Sequence, residues 1–229
     1  IYELAVTIAA GESQRGSDMG IGTAVRHRLG RFEVPAAEFY RGRFIDLDDL
    51  AAKVARFADP KRILEIGCGD GAFAQRLTAT HPHAQYLGID IAGTAGRLYR
   101  GDPDRAVFRT VRSTDLLDEA PDPFDLVVIV DVIHHIRTEL RPAVLRDAAD
   151  LTAPDGLLMV KDWERGTGPA HYAAFLADRY VSGDRTVNFP TPADLRCLLA
   201  TALPGFEVRA TERIRPRRNN ILYALSRPI

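Results

Sequence analysis

ILEIGCGDGAFAQRL, Ile63 to Leu77, is the stretch whose reading decides the fold. An apolar segment with strand character runs into Gly67-Cys68-Gly69-Asp70-Gly71, and a helical pattern opens directly behind it. Glycines let the backbone turn sharply and approach a ligand with no side chain in the way. The helix that follows presents unpaired amide groups and the positive end of its dipole. Such a turn after a strand is common, so two flanking acids carry the argument further. Glu65 stands at the end of an otherwise apolar strand, where a carboxylate is costly unless something requires it. Asp90 closes the next strand candidate, YLGID, some 23 residues after Gly67. An acid at that distance meets ribose hydroxyls in dinucleotide-type sites.

Outward from this stretch, strands and helices alternate. Strand candidates are Arg62–Ile66, Gln85–Asp90, Val107–Val111, Phe124–Val130, Leu157–Lys161, Glu207–Thr211 and Ile221–Leu225. Helices are expected at Gly71–Ala79, Ala92–Tyr99, Leu140–Leu151, Ala170–Tyr180 and Pro192–Ala202, the last with Thr191 as cap and proline in its first turn. Asp125–Val130 is almost continuously apolar, as a strand covered on both faces must be. The alternation predicts a doubly wound α/β sheet. No helix separates the last two strands, so they should pair antiparallel. Before residue 60 the chain reads differently: a glycine-bearing polar stretch from Gly11 to Gly22, short helical pieces, and a helix capped by Asp46 that stops at Asp59-Pro60. This predicts a helical cap or lid over residues 1–59 and a ligand-binding domain over residues 60–229, with Gly11 to Phe44 closing over the site.

Composition excludes several classes. The 229 residues carry 30 Lys plus Arg against 31 Asp plus Glu, a formal net charge of −1. That balance supplies no global field for a nucleic-acid backbone or an anionic membrane. Arg209, Arg213, Arg215, Arg217 and Arg218 cluster near the final hairpin and are read as a solvated turn. The two cysteines, Cys68 and Cys197, build neither a disulfide framework nor a metal knuckle. No apolar run approaches the roughly 18 residues of a membrane helix. The first residues show no basic-then-apolar leader pattern, and a reducing, cytoplasmic setting is expected.

As an ordered set, these motifs resemble the class I S-adenosylmethionine-dependent methyltransferases, over about Lys61 to Leu225. LEIGCGDG is similar to their first motif, which wraps the methionine part of the cofactor. LGID is similar to the strand end that holds the ribose. STDLL, Ser113 to Leu117, resembles the segment where an acid, here Asp115, meets the adenine amino group. FDLVVIVDVIHHI, Phe124 to Ile136, resembles the fourth-strand motif beside the transferred methyl, and DGLLMVKDW, Asp155 to Trp163, the fifth strand. The resemblance implies a Rossmann-like, seven-stranded sheet with an antiparallel final strand, S-adenosylmethionine as cofactor, and cofactor contacts at Glu65, Gly67, Cys68, Gly69, Asp90, Ile91, Asp115, Leu116 and Val130. Gly67, Gly69 and Ala72 also satisfy a nicotinamide-dinucleotide pattern. A dinucleotide would place a pyrophosphate on the helix start, and acids at Glu65 and Asp70 suit a sulfonium cation better.

Methyl transfer needs a positioned acceptor and a group to take its proton. Asp131, His134 and His135 follow the fourth strand at the ligand-binding edge. The Asp131–His135 spacing matches relatives that use such a histidine, so His135 is expected as base, oriented by Asp131, with His134 as the second candidate. Lys161, Asp162 and Trp163 should face the same cleft, with Tyr40 and Arg43 contributed by the N-terminal region. Metal-dependent catechol-type relatives use acids after both strands plus an asparagine. Trp163 stands where that asparagine would be, so no metal is expected. The expected function is methylation of a small organic acceptor, at oxygen ahead of nitrogen or carbon, with no nucleic acid or membrane as partner. A homodimer is left open. So are a non-methylating use of the cofactor, by elimination or cyclisation, and a non-catalytic partner subunit of the same fold.

Overall fold

A computed structural model describes Gly42 and residues 44–165, 188–216 and 219–228. Tyr40, Arg43, Arg217, Arg218, the glycine-bearing stretch from Gly11 to Gly22 and the helix expected at Ala170–Tyr180 lie outside the described residues.

Helix α1, Leu47–Phe57, starts where Asp46 accepts a hydrogen bond from the Asp49 amide at 2.9 Å. It buries Leu47, Leu50, Ala51 and Val54, the apolar side of its 3.6-residue period. Strand β1, Arg62–Ile66, follows, and then helix α2, Ala72–Thr80, whose cap is Gly71. Strands β2, Gln85–Asp90, and β3, Ala106–Thr110, come next, then the short helix α3, Ser113–Asp118, and strand β4, Phe124–Val130. A single 3₁₀ turn, Ile133–His135, leads to helix α4, Arg141–Leu151, and strand β5, Thr152–Trp163. Helix α5, Pro192–Ala202, precedes strands β6, Glu207–Arg213, and β7, Asn220–Ser226.

The seven strands form one sheet in the order β3-β2-β1-β4-β5-β7-β6. β3 through β5 in that order are parallel, and β7 pairs antiparallel with both β5 and β6. Successive residues of the inner strands enter opposite cores, as the pleat requires. Val127, Ile129, Leu158 and Val160 pack with α4 and α5, while Leu126, Val128 and Met159 pack with α1 and α2. The alternation read from the sequence, the central strand buried on both faces and the antiparallel final pair are therefore all present.

Three local expectations fail. Ala92–Tyr99 forms turns, not a helix. Gly96 sits at φ +69°, and a β-carbon there would lie 2.2 Å from the Phe108 ring. The segment's amides instead bond the glycine loop, Gly96 N–H to Gly69 O at 2.9 Å and Leu98 N–H to Asp70 O at 2.8 Å. Conversely, Ser113–Asp118 is helical. β5 also begins five residues earlier than Leu157, at Thr152 directly after α4. Among the described residues no helix is long and apolar enough to cross a membrane.

Candidate active site

The parallel strands deliver their carboxyl ends to one edge, where open α/β sheets bind ligands. At the end of β1, Gly67 has φ +77°, and an added β-carbon would lie 2.3 Å from Val132 Cγ2. Both the backbone conformation and the close approach demand glycine. Asp90, at the end of β2, is 3% exposed. Its carboxylate accepts from the Gly69 amide at 2.8 Å and from the Ala92 amide at 2.9 Å, which locks the loop to the strand. Beside this corner lies a cavity of about 650 Å³. Gly67, Asp90, Ile91, Val111, Asp115 and Val132 are among its walls.

Of the residues expected to hold a cofactor, Gly67, Asp90, Ile91 and Asp115 thus meet at one cavity. Glu65, Cys68, Gly69, Leu116 and Val130 are not on its walls. Leu116 and Val130 are core residues on opposite faces of the sheet. Glu65 accepts from the Tyr86 hydroxyl at 2.5 Å. Burial pushes its carboxyl up to about 8, against the lowering effect of that hydrogen bond. Burial likewise pushes the Cys68 thiol well up, which rules out a ready thiolate. Asp115 bonds the Arg112 guanidinium at 2.9 and 3.1 Å, and these bonds hold its carboxyl below the ordinary value.

The charged groups after β4 and β5 pair differently from the sequence expectation. Asp131, expected to orient His135, is engaged by Lys161. Both Asp131 oxygens accept from Lys161 Nζ, each at 2.6 Å. The residue that holds a histidine is Asp162, fully buried at the end of β5. It accepts from the His134 amide at 3.1 Å, from the Trp163 amide at 2.6 Å, and bonds His134 Nδ1. Burial alone would raise the Asp162 carboxyl. Its interaction and hydrogen bond with His134, the hydrogen bond from the Trp163 amide, and nearby Lys161 together hold it below its usual value. Phe189 stacks on the His134 ring at 4.6 Å, and His135 lies on its other neighbour contact at 4.1 Å. Trp163 joins Phe44 and Phe189 in a small aromatic cluster.

Sequence reasoning missed Lys161 as partner of Asp131, although a lysine in the buried run LLMVK was a signal that an acid must face it. It also missed Phe189, for which nothing in the sequence pointed to His134. The arginine run is less free than expected. Arg213 pairs with buried Glu164, and Arg215 reaches Asp46 at 3.3 Å and Asp49 at 3.4 Å.

A family model described as a methyltransferase domain matches residues 64–158, the stretch from β1 into β5 that carries the loop, Asp90 and His134. A ubiquinone biosynthesis O-methyltransferase of Xanthomonas campestris pv. campestris is 29% identical over 168 residues, covering 69% of this chain and 67% of that protein. Residues 64–158 thus belong to the methyltransferase-domain family. Two solved structures share the fold of this methyltransferase. Mitomycin 7-O-methyltransferase MmcR superposes with a TM-score of 0.66 at 19% identity, over 90% of this chain and 58% of its own. The neocarzinostatin-biosynthesis O-methyltransferase NcsB1, solved with S-adenosylmethionine and 2-hydroxy-5-methyl naphthoic acid, gives 0.60 at 21% identity, over 88% and 60%. This chain therefore spans about three-fifths of the length of those solved relatives.

The family's cofactor fits the residues present. The cavity offers a buried carboxylate at Asp90 for hydroxyl groups, apolar walls at Ile91, Val111 and Val132 for a flat base, and a glycine corner at Gly67 that a side chain would close.

Proposed function

We propose that this methyltransferase moves a methyl group from S-adenosylmethionine to a hydroxyl of a small organic acceptor, with His134 as the base and Asp162 as the residue that orients it. The observation that carries this reading is the buried His134–Asp162 pair, formed by the turn after β4 and the end of β5, at the carboxyl edge of the sheet. The cofactor supplies a methyl carbon activated by an adjacent sulfonium, and the departing electron pair stays on sulfur. The chain's own residues do the rest. Asp162 engages Nδ1, so that nitrogen carries the proton and Nε2 is the atom that accepts one. When Nε2 takes the acceptor's proton, the imidazolium forms against a carboxylate already in place, and no reorganisation is needed at that moment. Phe189, stacked on the ring, restricts its rotation and keeps water from it.

Oxygen as the methylated atom is supported by the named relatives, which are O-methyltransferases. A small acceptor is supported by the same relatives and by the balanced charge of the chain. On this reading Gly67, Asp90, Ile91 and Asp115 hold the cofactor. Within residues 1–59, helix α1 packs on the sheet core. The free cysteines Cys68 and Cys197 suit a reducing cytoplasm.

The test is turnover of His134→Ala beside His135→Ala, with S-adenosylhomocysteine release as readout and a generic phenol panel as acceptor. His134→Ala should lower turnover by about 10²–10⁴ while cofactor affinity barely changes. His135→Ala should cost far less. A folded His134→Ala protein with near-native turnover would remove the base assignment.

A further inference from the structure

Lys161 has the bulkiest side chain among those fully buried in the described residues. It lies in the last turn of pleat of β5, opposite Val130 in the pairing of β4 with β5. Its carbonyl accepts the Asp131 amide at 3.0 Å, and Asp131 takes the left-handed conformation, φ +55°, that non-glycine residues avoid. That backbone turn brings the Asp131 carboxylate onto the ammonium through both oxygens. Immediately beside this pair is a second carboxylate, the fully buried Asp162, with His134. One ligand-capable atom from each of Asp131, His134 and Asp162 lies within 4.8 Å of the others.

Two carboxylates and an imidazole at that spacing form the donor set that a divalent cation takes. Two like charges so close, Asp162 fully buried and Asp131 partly so, also require a positive charge near them. Lys161 supplies it, and it grips Asp131 in the two-oxygen manner that a metal ion would use. We propose that the Lys161 ammonium is the resident cation of this cluster: it stands in for a divalent ion, holds Asp131 away from His134, and keeps the base free of metal. The consequence for the site is a division of labour. Asp131 is neutralised by Lys161, and Asp162 alone governs His134. A metal in the cluster would bind the imidazole and Asp162 and remove the base. Lys161 is thus a positioning residue whose effect passes through Asp131.

The proposal predicts that removing the ammonium, and nothing else, uncovers a metal site. Lys161→Met keeps most of the volume and deletes the charge. Purified wild-type and variant chains are titrated with Mn²⁺ alone, and free Mn²⁺ is read by electron paramagnetic resonance. Wild type should leave the free signal unchanged. Lys161→Met should take up one equivalent, and the added change Asp131→Asn should abolish the uptake. Mn²⁺ should raise the melting temperature of Lys161→Met and leave that of wild type unmoved. Uptake by wild type that disappears in Asp131→Asn would overturn the proposal. So would a folded Lys161→Met chain that leaves Mn²⁺ free. If Lys161→Met is insoluble both with and without Mn²⁺, Lys161→Gln is read in its place by the same criteria, because its amide still donates to Asp131. The readout is ion binding and not turnover, so its failure is separate from failure of the methyl-transfer reading or of His134 as base.

Discussion

Lys161 and Asp162 are neighbours in the chain and enter opposite faces of the sheet, because the pleat alternates every residue. Leu158 and Val160 lie in one core and Met159 in the other, which fixes that parity for the residues that follow. One acid–base assignment comes from each face: Lys161 with Asp131, Asp162 with His134. A change of Asp162 to Asn keeps the shape and removes the charge that faces the imidazolium. Turnover should fall by about 10²–10⁴, with cofactor affinity little altered, in steady-state kinetics against the same acceptor panel. Glu65 gives a second prediction at this scale, through pH. Its folded-state value of about 8 lies above the ordinary 4.5, so the folded chain holds a proton that the unfolded chain releases. That proton stabilises the fold fully below about pH 4.5, and the contribution fades as pH rises through 8. Glu65→Gln retains an acceptor for the Tyr86 hydroxyl and has no proton to lose. Urea unfolding between pH 5 and pH 8.5 should therefore show wild-type stability declining relative to the variant. Parallel curves for the two proteins would refute the assignment.

At the scale of elements, α5 shows how completely a local signal can be written in sequence. Thr191 accepts from the Asp194 amide at 3.1 Å, Asp194 accepts from the Thr191 amide at 3.1 Å, and Pro192 fills the first turn. Thr191→Ala should cost about 1 kcal/mol of stability, measured by denaturant unfolding, because one amide of the first turn loses its acceptor. Strands β1, β4 and β7 were legible for the same kind of reason, since burial on both faces leaves an apolar run that little else produces. Ala92–Tyr99 was not, because its apolar spacing imitates a helix while its amides are claimed by Gly69 and Asp70, residues more than twenty positions away. The site was legible to the same degree. Gly67 and Asp90 are set by local backbone needs and were readable. The partners of Asp131, His134 and Asp162 are set by the registry of β4 against β5, and a spacing of four residues within one segment carries no information about that registry.

For the molecule as a whole, ligand binding and stability are one quantity, because a cofactor that binds only the folded chain adds RT ln(1 + [L]/Kd) to its stability. The cavity at the edge of β1 and β2 joins elements that unfold together, so occupancy should be read by global melting. S-adenosylhomocysteine at about 100 times its Kd should add about 2.7 kcal/mol. For a chain of this size that is a rise of roughly 5–11 °C. Asp90→Ala removes a hydroxyl partner worth about 1.5–3 kcal/mol, which raises Kd roughly ten- to a hundredfold. At the same ligand concentration the added stability then falls to about 1.4 kcal/mol for a tenfold loss and about 0.4 kcal/mol for a hundredfold loss. Asp90 also holds the Gly69 and Ala92 amides, so the variant should melt lower before any ligand is added. The comparison is therefore each protein against itself, with and without ligand. NAD offers a pyrophosphate to a corner where the buried Asp90 carboxylate sits, and it should produce no rise. A larger rise with NAD than with S-adenosylhomocysteine, or an undiminished rise in Asp90→Ala, would show that the cofactor is not held at this corner.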